Sequence, residues 1–241
     1  MILIRKRTIL VIFLIFSCIL SFRSLLRQTD TQYHAAMAEA ELSVPSSFTV
    51  IIDPGHGGQD GGAVSPDGVR ESHINLDIAF RVRDLMAFAG QGSKMSRTED
   101  ISIHSPGAAR WKASDLQNRV KLANETQNAI LLSIHQNSLP SSPITHGAQV
   151  FHTQQIEATT ISAAIQTALN EVINIGNEKQ MKPAPKGVYL MKHILVPGIL
   201  VECGFLSNEA ETTHLQKTSH QIKLAAAITA GYLRGIGENS T

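Results

Sequence analysis

The apolar residues of this chain fall into short continuous runs, separated by longer stretches with helical spacing. Residues 48–52 read as a strand that Pro54 and Gly55 end. In residues 71–89, Ile74, Leu76, Ile78, Val82, Leu85 and Met86 make one wide apolar face, stopped by Gly90 and Gly92. Residues 94–97 form a short strand, and residues 101–114, around Pro106-Gly107, are irregular. Asp115 caps a helix that runs to about Glu125 and buries Leu116, Val120 and Leu122. Residues 129–134 are almost continuously apolar, the pattern of a strand covered on both faces. A further strand at 148–152 precedes a helix at 157–175, with Ile161, Ala164, Ile165, Ala168, Leu169 and Val172 inward. Residues 198–201 form a third buried strand. Two helices close the chain, at 208–215 and 219–234, and Asn208 stands at capping-box spacing from Glu211. Strands alternating with helices predict an α/β layered fold.

Before this domain the pattern is different. Arg5-Lys6-Arg7 precedes an apolar run over 8–22. Such a run spans about 22 Å as a helix, short of a hydrocarbon core of about 30 Å, unless Arg23 snorkels and Leu25 and Leu26 extend it. The basic flank keeps the N-terminus inside and exports the rest. The best small-residue cleavage site, Ala36-Met37-Ala38, lies far downstream, which favours an uncleaved anchor over a removed signal. The chain therefore divides into an anchor or signal at 1–27, a polar linker at 28–47 and a catalytic domain at 48–237.

Composition narrows the chemistry. The 241 residues include 21 basic and 20 acidic ones, with no basic block interleaved with aromatics, so nucleic acid is excluded as a partner. The two cysteines, Cys18 and Cys203, cannot build a cysteine zinc site, and Cys18 lies within the apolar run. Any metal must rely on His, Asp or Glu.

Three apolar strands end at such residues: His56 within Asp53-Pro54-Gly55-His56-Gly57-Gly58, then His135, then Glu202. Open α/β sheets hold ligands at the carboxyl ends of their strands. Glu71, in the first turn of the next helix, can reach the same rim. Singly, each has a plain structural explanation: a solvated first-turn glutamate, a strand-end histidine on a carbonyl, a salt bridge from Glu202 to Arg97 or Lys192. Together, two histidines and a glutamate match the three protein ligands of catalytic zinc, with a second carboxylate left for proton transfer. Chemistry alone allows Glu71 and Glu202 to exchange roles.

The ordered set Ile52-Asp53-Pro54-Gly55-His56-Gly57-Gly58, Glu71 with Asn75-Leu76, Ser133-Ile134-His135 and Val201-Glu202-Cys203-Gly204-Phe205 resembles the zinc N-acetylmuramoyl-L-alanine amidases of the Amidase_3 type. Ser96-Arg97-Thr98, Leu116-Gln117-Asn118-Arg119 and Ala123-Asn124 fit the same pattern, and the resemblance covers residues 48–233. It implies a three-layer αβα fold with a mixed, largely parallel six-stranded sheet, like zinc exopeptidases. It implies hydrolysis of the amide between the muramic lactyl group and L-alanine in peptidoglycan. It gives one zinc ion to His56, Glu71 and His135, and the catalytic carboxylate to Glu202. Within the family the chain is most similar to the spore-cortex amidases of endospore formers, whose products feed muramic δ-lactam formation. The stretch from Val150 to Glu157 is too short for the autoinhibitory helix of the periplasmic division amidases. A separate activating protein is compatible with this pattern, though no residue identifies one.

Other residues carry less. Asn137 is a candidate contact to the substrate peptide. Arg97, Arg119 and Asn124 read as braces, Trp111 as packing and Cys203 as a buried filler. His73 points away from the Glu71 face. The glycines around His56 would leave room for a bulky glycan-peptide. Two rival readings are a zinc exopeptidase, for which no second set of bridging carboxylates is present, and an anchored wall-binding protein without activity.

Overall fold

The computed structural model describes residues 48–238; the apolar run, the linker and Cys18 lie outside the described residues. Six strands form one sheet: β1 (Thr49–Pro54), β2 (Ser93–Met95), β3 (Ala129–Asn137), β4 (Gln149–His152), β5 (Lys182–Pro183) and β6 (Gly198–Phe205). Their order is β2-β1-β3-β6-β4-β5. The block β2-β1-β3-β6 is parallel, β4 runs antiparallel to β6, and β5 follows β4. The fold is thus the mixed six-stranded α/β sheet expected. The strand Lys182–Pro183 has no apolar run to announce it.

Among the described residues six helices flank the sheet: α1 (Glu71–Phe88), α2 (Trp111–Glu125), α3 (Ile156–Val172), α4 (Tyr189–His193), α5 (Glu209–Leu215) and α6 (Thr218–Glu238). Strand side chains alternate between two cores. Val50, Ile52, Ile130, Leu132, Ile134, Ile199 and Val201 join α1, α3 and α6 in one. Ile51, Leu131 and Leu200 join Ala123 of α2, Leu190 and Met191 of α4, and Ile194 just after it in the other. The same alternation sends Asp53, Ser133, His135 and Glu202 to the α2 face, at or near the carboxyl ends of β1, β3 and β6. The register sets Asp53 beside Ser133, and His135 beside Glu202.

Two local expectations change. Helix α2 starts at Trp111, not at Asp115, and Asp115 is a buried residue within it. The side chains it buries are Asp115, Arg119 and Ala123, while Leu116, Val120 and Leu122 are only half-buried. Val172 of α3 is exposed. At α5, Asn208 accepts from Glu211 N at 3.0 Å. Glu211 gives its carboxylate to Gly147 N and Phe205 N instead of returning it to Asn208, so only half of the capping box forms. Among the described residues no helix is long and apolar enough to cross a membrane.

Candidate metal centre

The loop after β1 is held from below by two arginines. Arg119 is 3% exposed. Its Nε donates to Asp115 at 2.7 Å and its Nη1 to Asp53 at 2.5 Å. Nη1 and Nη2 also reach Pro54 O at 3.0 Å and His56 O at 2.7 Å. Arg97 donates to Pro54 O, Gly55 O, Ser72 O and Glu99 O. Burial works against a charged Asp53. The Arg119 guanidinium and the hydroxyls of Ser96 and Ser133 outweigh it and keep that carboxyl below its ordinary 3.8. Arg97 and Arg119 thus brace the loop, and Arg97 is not a partner of Glu202. Asn124 likewise bonds Leu195 N and His193 O.

On this support His56 adopts a left-handed backbone, φ 60°, a conformation rare for a residue with a Cβ. Its Nε2 lies 3.3 Å from Glu71 Oε2. Glu71 Oε1 lies 2.9 Å from His135 Nδ1. The two imidazoles meet edge to face, 5.0 Å between centroids. One nitrogen or oxygen from each of His56, Glu71 and His135 falls within 4.8 Å of the others, a group able to hold a metal ion. Glu71 is no solvated first-turn glutamate, for it is 3% exposed. It also accepts from Ala63 N, Gln136 N and Asn75 Nδ2. Burial opposes its charge, yet bonds from His135 and His56 hold its carboxyl far below the usual range. His135 moves the other way. Burial disfavours its cation, but the bond to Glu71 and the negative charges of Glu71, Glu202 and Asp53 push it up to about 9.

Glu202 stands beside His135 and outside that group. Its Oε2 is buried with no hydrogen-bond partner among the described residues. Burial, helped by the charge of Glu71 and opposed by His135 and His56, pushes its carboxyl up to about 7. An unpartnered buried carboxyl oxygen costs free energy unless something else uses it. The histidine side chains are 23% and 20% exposed, so the group opens to solvent on their side. There a cavity of about 230 Å³ is lined by His56, Asp60, Lys112, Leu116, His135 and Tyr189, among others. A larger one, about 370 Å³, lies among His152, Pro183, Pro185, Met191 and Lys192 and is not lined by His56 or His135.

The remaining candidates are placed plainly. Asn137 ends β3 half-buried, its Oδ1 accepting from Ser138 N. His73 is exposed and pairs with Asp100. Trp111 meets the edge of His104. Cys203 is free and buried, and burial raises its thiol out of reach of ionisation. The glycines around His56 are required by the protein's own packing. A Cβ on Gly55 would enter the His135 ring, and one on Gly57, at φ 135°, would strike Ile101 O. Sequence reasoning missed Asp60, whose Oδ2 is 3.1 Å from His56 Nδ1. The signal available was an aspartate four residues after the histidine in the same glycine-rich loop.

Between β4 and α3 the chain has only Thr153, Gln154 and Gln155, as the short Val150 to Glu157 stretch implied. A family model described as N-acetylmuramoyl-L-alanine amidase, Amidase_3, matches residues 50–234. The germination-specific N-acetylmuramoyl-L-alanine amidase of Bacillus subtilis is 38% identical over 196 residues, 80% of this chain and 81% of that protein. The amidase LytC of the same organism is 33% identical over 188 residues, 76% of this chain but 34% of its own length. Among solved structures, the CwlD amidase of Clostridioides difficile, in complex with the GerS lipoprotein, superposes with a TM-score of 0.73 at 33% identity. That match covers 78% of this chain and 97% of the other. With its fold, its strand-end cluster and these relatives in agreement, the chain belongs to the Amidase_3 family of N-acetylmuramoyl-L-alanine amidases, enzymes that act on peptidoglycan.

Proposed function

We propose that this amidase is zinc-dependent, holds one zinc ion with His56, Glu71 and His135, uses Glu202 as its proton-transfer group and acts in spore-cortex maturation. The observation that carries the metal reading is the convergence of two imidazoles and a carboxylate within 4.8 Å, beside a buried carboxyl oxygen without a partner. Two nitrogens and one oxygen suit zinc better than magnesium, which takes all-oxygen shells. Bound there, zinc supplies the positive charge that polarises a carbonyl and acidifies a water. Glu202 takes the proton of the attacking water and gives it to the departing amine of L-alanine. Its desolvated carboxyl suits both steps, because a proton taken up there is readily passed on. Asn137, at the end of the same strand as His135, is the candidate for holding the stem peptide.

The cortex role rests on the likeness to the germination-specific amidase of Bacillus subtilis and to the CwlD structure. Removal of stem peptides would then supply bare muramic acid for δ-lactam closure with a deacetylase. The CwlD complex with a lipoprotein also supports a separate protein partner for this chain. We further infer export, with residues 1–27 as membrane anchor or signal, 28–47 as linker and 48–237 as the catalytic domain.

The test is digestion of purified peptidoglycan by the full chain in detergent, with products read by mass spectrometry. Free stem peptides with an N-terminal alanine are expected, lost on chelation and restored by zinc. Cleavage at another bond, or activity indifferent to a chelator, overturns the reading.

A further inference from the structure

The loop that carries His56 also carries a carboxylate outside the metal-ligand group. Asp60 Oδ2 lies 3.1 Å from His56 Nδ1, and the opposite nitrogen, Nε2, lies 3.3 Å from Glu71 Oε2. The ring is therefore gripped at both nitrogens. Asp60 is itself fixed from several sides. Its backbone exchanges bonds with Gly57, N to O at 2.8 and 3.2 Å. Its Oδ1 accepts from Gly62 N at 3.3 Å, and its Oδ2 meets Lys112 Nζ at 3.0 Å from the first turn of α2. Gly62 has no room for a side chain, because a Cβ there would press on Glu71 Oε2 and His56 Cδ2.

An ionised carboxylate only accepts hydrogen bonds. Both ring nitrogens face carboxylates, so in a ring that gives its Nε2 lone pair to a metal beside Glu71 the one hydrogen belongs on Nδ1, toward Asp60. We propose that Asp60 is a positioning residue of the metal centre. It fixes His56 in the Nδ1–H tautomer so that Nε2 is offered to zinc, and Lys112 holds Asp60 in place. This rests on the zinc reading above. A partner that fixes the free nitrogen of a ligating histidine sets both ring orientation and basicity, and its loss weakens metal affinity about 10–100-fold. Lys112 is 61% exposed, so its own share is smaller.

The test titrates zinc into the full chain in detergent against a chromophoric chelator. Asp60→Asn, which keeps the shape but not the charge, should bind zinc about 10–100-fold more weakly. Lys112→Met should lose less. Melting of the zinc-free protein should stay unchanged in both, since the role is to orient a ligand. In ¹⁵N-histidine spectra of the zinc-loaded wild type, His56 should carry its proton on Nδ1. Wild-type zinc affinity in Asp60→Asn sinks the inference, as does a zinc-free melting point lowered in step with affinity. A His56 proton on Nε2 overturns it without any variant. A wild-type chain that binds no zinc instead brings down the zinc reading beneath it.

Discussion

Gly55→Ala reaches the proposed centre with one added carbon and leaves every proposed ligand in place in the sequence. A Cβ at this position would stand 2.7 Å from His135 Nδ1 and nearer still to Cε1 and Nε2. To regain the 3.4 Å of ordinary contact, Nδ1 alone would have to retreat about 0.7 Å, and the other two atoms further. The backbone cannot yield in its place. Gly55 N donates to Ile134 O at 3.0 Å, and Gly55 O accepts from Asn75 at 3.2 Å and Arg97 at 3.1 Å. The imidazole must therefore leave its place, and with it the 2.9 Å contact of Nδ1 to Glu71 Oε1. A misplacement of about 1 Å at a reacting centre costs about a hundredfold in rate. Overpacking should cost about 1–3 kcal/mol of stability. The assays are zinc affinity by chelator competition, release of stem peptide from peptidoglycan and thermal melting. Gly92→Ala is the control, since a Cβ there meets nothing within 4 Å. If Gly55→Ala keeps wild-type zinc affinity and turnover, His135 does not hold the metal in the arrangement described.

Two further outcomes are expected. Glu202→Gln should retain zinc and lose turnover by about 10²–10⁴-fold; a variant with near-normal rates would show that the proton is carried elsewhere. Arg119→Met strands the buried Asp53 carboxylate and should cost about 3–5 kcal/mol in denaturant unfolding near neutral pH. Asp53 is held below 3.8 in the folded protein, so its stabilising effect is complete above that value and is lost as pH falls through the folded pKa. The gap between wild type and Arg119→Met should therefore narrow as pH falls from neutral, because the stranded Asp53 takes up a proton before the paired one does; a gap constant from about pH 7 to about pH 3 contradicts this reasoning.

The sheet and the strand-end residues were legible because they obey simple periods. Residues 129–134 are apolar at all but Ser133, and residues 198–201 at every position, the pattern of a strand covered on both faces. Their exits at His135 and Glu202 follow from parallel pairing. What stayed hidden depends on distances in space. Asp60 is an unremarkable loop aspartate until the turn folds it back on His56 Nδ1. The edge strand Lys182–Pro183 and the short helix Tyr189–His193 are too brief to show a period.

Helix α2 shows the same limit from the other side. Its most buried row, Asp115, Arg119 and Ala123, is mostly polar, so a search for apolar spacing starts the helix too late and reads Asp115 as a cap. The reason for that polar row lies in β1. His56 holds a backbone conformation that costs about 1–3 kcal/mol, and such strain persists only where the surroundings over-determine it. Arg119 supplies that restraint, joining Asp115 and Asp53 beneath the loop and capping His56 O above them. Arg97 secures Pro54 O and Gly55 O from the β2 side. The backbone that carries His56 is therefore fixed by buried charges on neighbouring elements, while Asp60 of the loop itself meets the ring. A polar helix face that would weaken an ordinary core is here what makes a flexible loop rigid enough to present a metal ligand.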